Sequence, residues 1–125
     1  NVKCFIIDAP NHSLKHFFKE AAFEFYKKNQ DNITFYTIQR FEKEFNTDIN
    51  KSDIVDIASN SKYPILLTAG SNEDFEEIFA TVKSRNPKDT EIVILPECDH
   101  ANGMYRQTAM YQNSIIEFVN KYLGK

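Results

Sequence analysis

Three short apolar runs do most to restrict what this chain can fold into: VKCFIID (residues 2–8), YPILLTAG (63–70) and EIVIL (91–95). Hydrophobicity that runs on without polar alternation, over a stretch this short, marks a strand covered on both faces, as in a parallel sheet. Each run meets a turn signal. Asp8-Ala9-Pro10 closes the first, and Pro64 opens the second while Gly70 closes it. The segments between them are helical in period. Leu14, Phe17, Phe18, Ala21, Ala22 and Phe25 fall on one helical face, after a turn and cap at 11–13. Residues 31–46 repeat the pattern less regularly, with Ile38, Phe41 and Phe45 on one side, and SDIVDIA reads as a short helix capped by Ser52 or Asp53. After the second run, Ser71 is expected to cap a helix with Phe75, Ile78, Phe79 and Val82 inward, stopped by Asn86-Pro87. The last helix carries Tyr111, Ile115, Phe118, Val119, Tyr122 and Leu123, with Gly124 at its end.

Strands alternating with helices predict an α/β fold: a small parallel sheet of about three strands with helices on both faces. There is no repeat, low-complexity segment or linker, so residues 1–125 read as one α/β domain. Three strands are few for this class, and the first begins at residue 2. The expectation is an open sheet edge with apolar surface, prone to self-association.

Composition narrows the partners. With 42% hydrophobic and 14% aromatic residues in 125, the chain is globular and large enough for a core. Its net charge of −3 is mild and its basic residues are scattered, so no nucleic-acid or anionic-membrane footprint is present. No apolar run approaches the ~20 residues that span a bilayer. Cys4 and Cys98 make no disulfide framework and read as reduced thiols of a cytoplasmic protein. Neither a C-x-H pair (Cys98, His100) nor His12 with His16, four apart on a helix face, makes a familiar metal site, and no cofactor is expected.

Sites in open α/β sheets gather at the carboxyl ends of the strands. Three loops stand there: residues 8–13, 70–74 and 96–102. An acid on the second and His100 on the third would pair across adjacent strands as an oriented imidazole base. Asp8 reads as a turn former. Ser71 is expected to spend its oxygen on helix capping with Asp74, and Cys98 lies too close to His100 in sequence to serve as its nucleophile.

The segments VKCFIIDAPNHSLKHFF, FEKEFNTDINKSDIVDIASNSKYPILLTAG and LPECDHANGMY, followed by YQNSIIEFVNKYL, together resemble the carboxyl-terminal half of the α/β-hydrolase family. The likeness is to bacterial serine hydrolases of the esterase and peptidase-like kind, and the tripeptide DHA is its most specific piece. The resemblance implies that His100 is the general base and that the triad acid stands three or four residues after Gly70. Asp74 is preferred, as the usual side chain, with Glu73 the alternative. It further implies a small-molecule ester or amide substrate. The family's nucleophile sits in a G-x-S-x-G elbow, and no serine here has glycines two positions to either side. The expectation is therefore a carboxyl-terminal fragment whose partner is a missing amino-terminal half, or a second copy. A self-contained binding or regulatory module without catalysis is the alternative.

Overall fold

The computed structural model describes residues 2–123. The expected helix end at Gly124 lies outside them. Three parallel strands, β1 (Phe5–Asp8), β2 (Ile65–Gly70) and β3 (Thr90–Leu95), form one sheet in the order β1-β2-β3. Asp8 stands beside Thr68, and Gly70 beside Leu95. The helices are α1 (Leu14–Tyr26), α2 (Gln30–Phe45), α3 (Ile54–Ser59), α4 (Glu76–Arg85), α5 (Gly103–Arg106) and α6 (Thr108–Leu123). Single turns of 3-10 helix lie at Lys27–Asn29 and Ile49–Ser52. The small parallel α/β architecture expected from the apolar runs is the one found.

The chain divides into two compact units. The sheet, α4, α5 and α6 belong to one, built from the residues up to Pro10 and from Ala58 onward; residues Asn11–Ile57 make the other. In the sheet unit β2 is central, and every residue from Ile65 to Gly70 is buried, which is why its sequence shows no polar alternation. Side chains of residues paired across a parallel ladder share a face. Asp8, Thr68, Val93 and Leu95 thus lie on one face with Glu91, and α6 covers it: Tyr111 reaches Asp8, while Lys121 and Tyr122 reach Glu91. Phe118 of α6 is fully buried. Helix α4, which carries the chain from β2 to β3, buries Phe79 and Val82, and its Lys83 ammonium donates to the Thr90 carbonyl.

Strand β1 is one of the two edges, and it differs from β2. Phe5 and Ile6 are 43% and 38% exposed despite their apolar character. The amides of Phe5 and Ala9 donate toward the β2 side, to Pro64 and Thr68. The alternation of a parallel ladder therefore turns the amides of Ile6 and Asp8 outward.

The second unit is a helical hairpin followed by short helical turns. Ser13 caps α1 as the sequence indicates, its Oγ accepting from the His16 amide at 3.1 Å. Helices α1 and α2 meet through Phe18 and Phe41, whose ring centroids are 5.4 Å apart. The α1 stripe is narrower than its spacing predicts. Ala22 is buried, but Phe17 and Phe25 are 45% and 75% exposed.

Candidate active site

The carboxyl ends of β2 and β3 bring the histidine loop and the acid loop together. After β2 the chain makes a tight turn in which the Glu73 amide donates to the Gly70 carbonyl at 3.1 Å. The Glu73 side chain folds back, and its Oε2 accepts from the Gly70 amide at 2.8 Å. That reciprocal clasp fixes the carboxylate and leaves Oε1 free to point across the strands. There it meets His100 Nδ1 at 2.7 Å. A carboxylate only accepts, so the proton of this bond sits on Nδ1, and in the neutral ring Nε2 then carries the lone pair. Glu73 is nearly buried, its side chain 9% exposed, whereas the imidazole is 59% exposed. An anchored acid under an open base is the arrangement in which a carboxylate sets the tautomer and supports the imidazolium.

Of the two acids the sequence offers, Glu73, the alternative, is the one that meets His100, and the preferred Asp74 does not. Asp74 lies one residue past the turn and is exposed. The extra methylene of glutamate is what allows one side chain to grip Gly70 and reach His100. The capping expected of Ser71 with Asp74 is corrected by the structure. Helix α4 begins only at Glu76, with Phe75 at its cap position and no side-chain capping bond. Ser71 Oγ instead accepts from the Glu97 amide at 2.9 Å, tying the acid loop to the histidine loop.

The histidine loop is held under local strain. Glu97 and Ala101 both have positive φ, 56° and 55°, on either side of His100. Residues with a Cβ enter this region at a cost of about 1–2 kcal/mol each, so the loop is over-determined by its contacts. Asp99 and Asn102 supply two of them: the Asp99 amide donates to Asn102 Oδ1 at 2.9 Å, and Asn102 Nδ2 donates back to Asp99 Oδ2 at 3.3 Å. Gln107 Nε2 donates to the Pro96 carbonyl at 3.1 Å. The close approach of the loops needs Gly70, since a Cβ there would overlap the Cys98 carbonyl oxygen and sit 2.5 Å from its carbon.

The remaining sequence candidates fall elsewhere. Cys98 is fully buried beneath the loop, and both cysteines are free. In the helical unit the His12 and His16 rings stack at 4.8 Å, and His16 Nε2 lies 3.1 Å from Glu20. Among the described residues nothing bonds to Nε2 of His100, and no group of three or more His, Cys, Asp and Glu side chains is arranged to hold a metal.

Asp8 is more than a turn former. Its Oδ1 accepts from Thr68 Oγ1 at 2.6 Å and its Oδ2 from the Tyr111 hydroxyl at 3.1 Å, joining β1, β2 and α6 at the site end of the sheet. Partners 60 and 103 residues away leave no local sequence signal. Burial, and then the adjacent Asp8 charge and hydrogen bond, raise the Tyr111 phenol above its ordinary pKa of 10.0. The folded state thus keeps the phenolic proton after the unfolded chain has begun to lose it. Stability is retained in full below about pH 10 and falls as pH rises through and above that value. Denaturant midpoints measured from pH 8 to 11.5 should show this alkaline loss, and Tyr111→Phe should reduce its slope.

Comparison with protein-family models, with curated proteins and with solved structures finds no match to this chain.

Proposed function

We propose that this chain is the carboxyl-terminal portion of a serine hydrolase acting on ester or amide bonds, with His100 as general base and Glu73 as its orienting acid. The observation that carries the reading is the 2.7 Å contact of His100 Nδ1 with an anchored carboxylate, on an imidazole otherwise open to solvent. The resemblance of the His100 loop and the segment after it to the histidine region of α/β-hydrolases supports the same role. In this reading a serine outside the chain completes the triad. Nε2 takes the serine's proton as the hydroxyl attacks the carbonyl, and returns it to the leaving alcohol or amine. Glu73 stays ionised and stabilises the imidazolium that forms between the two transfers. Donors for the oxyanion come with the serine elbow.

The test is covalent labelling. A protein that joins this chain to an upstream G-x-S-x-G segment should react with a serine-directed fluorophosphonate, and His100→Ala should slow that reaction by about a thousandfold or more. Residues 1–125 alone should take no label. Labelling of the joined protein at an unchanged rate after His100→Ala would refute the assignment. So would specific ligand binding by residues 1–125 with no labelling of the joined protein, the behaviour of a self-contained binding module.

A further inference from the structure

The acid and histidine loops meet in register, residue against residue. Asn72 faces Asp99 and Glu73 faces His100, and each pair is separated by 27 positions. Asn72 is attached twice. Its amide N–H donates to the Cys98 carbonyl at 3.0 Å, and its side-chain Nδ2 donates to Asp99 Oδ1 at 2.9 Å. The orientation of the Asn72 amide follows from its partner, since an ionised carboxylate offers only acceptors. Asp99 is in turn pinned from the other side by the reciprocal bonds to Asn102. Its carboxyl is held below the usual aspartate range, first by the Asn72 hydrogen bond. The Asn72–Asp99 pair is thus the cross-loop link immediately before the catalytic pair in both loops.

We propose that Asn72 and Asp99 are positioning residues: their amide–carboxylate bond sets the spacing of the two loops at which Glu73 meets His100 Nδ1. This rests on the reading of His100 as a base oriented by Glu73. Neither side chain touches a reacting atom. Both Asn72 and Asp99 are exposed, so the bond between them adds little to global stability. What it controls is where the imidazole sits, and hence which nitrogen carries the proton. A free neutral histidine prefers its proton on Nε2, the form that cannot accept one from serine. Loss of the Asn72–Asp99 bond releases His100 toward that form.

The experiment follows the tautomer in residues 1–125 labelled with 15N-histidine, by long-range 1H–15N correlation at neutral pH. The His100 signals are assigned by their loss in His100→Gln. The unaltered chain should show the Nδ1–H form. Asn72→Asp, which opposes two carboxylates, and the milder Asn72→Ala should both move His100 toward Nε2–H. The exchange Asn72→Asp with Asp99→Asn should restore Nδ1–H. The amide now at position 99 donates to the carboxylate at position 72, and its oxygen still accepts from Asn102. A purely structural role would not predict that recovery.

An unchanged tautomer in both single variants would overturn the proposal. So would failure of the exchange to restore it in a chain whose sheet amides retain their dispersion. In the protein joined to a serine elbow, Asn72→Ala should lower kcat by about a hundredfold with KM unchanged, the signature of misplacement rather than lost binding. The two readings fail separately. Absence of fluorophosphonate labelling beside a tautomer that follows the exchange would sink the hydrolase reading alone. Labelling that depends on His100 beside an indifferent tautomer would sink the Asn72–Asp99 proposal alone.

Discussion

Gly70→Ala is expected to lower stability by about 3 kcal/mol or more, at or beyond the upper end of ordinary overpacking. The reason is what the new methyl would meet. Its nearest atoms are the backbone carbonyl of Cys98 and the Asp99 oxygen, the latter at 2.9 Å, and a backbone carbonyl has no rotamer with which to yield. Relief requires moving the histidine loop off the end of β2, which also parts Asn72 from Cys98 and His100 from Glu73. Gly103 is the informative comparison. A Cβ there would overlap Leu95 Cδ1, the far end of a side chain, so Gly103→Ala should cost less even though Leu95 is buried. Urea midpoints of the two variants decide the matter. A Gly70→Ala chain as stable as the unaltered one would mean that the loops do not approach this closely.

The second large effect is on turnover. In the protein joined to a serine elbow, Glu73→Gln should reduce kcat by about 10³–10⁴-fold while leaving the fold intact, because triad acids changed to amides impose the wrong tautomer at that cost. The geometry gives the cause. The amide oxygen can still accept from the Gly70 N–H, which then turns the NH2 toward His100 Nδ1. Facing a donor, Nδ1 must present its lone pair, and the proton moves to Nε2. Asp74→Asn, one residue away and exposed, should change kcat by less than about twofold. A large loss from Asp74→Asn beside a small one from Glu73→Gln would reverse the assignment of the acid.

What could be read ahead of the structure was set by burial and period. Ile65–Gly70 announce a central strand because no residue there faces water, and α4 is legible from Phe75, Phe79 and Val82 because all three are buried. The position of His100 followed from the general placement of sites at strand ends. Which of the two acids meets His100 did not follow, because it depends on a turn. Glu73 and Asp74 differ by one position, and only the fold-back of Glu73 onto Gly70 distinguishes them. The late start of α4 at Glu76 has the same origin, since Ser71 spends its oxygen on Glu97, a partner 26 residues on. The Asp8, Thr68 and Tyr111 cluster was hidden for a related reason: each side chain is ordinary in its local setting, and the meaning lies in contacts across the sheet.

The two units described above are interleaved in sequence, residues 11–57 interrupting the sheet unit between β1 and β2. Among the described residues, the hydrogen bonds that aim His100 and anchor Glu73 originate between Gly70 and Gln107, in one strand–helix–strand passage and its following loop. The half-site is in that sense a self-wired cassette.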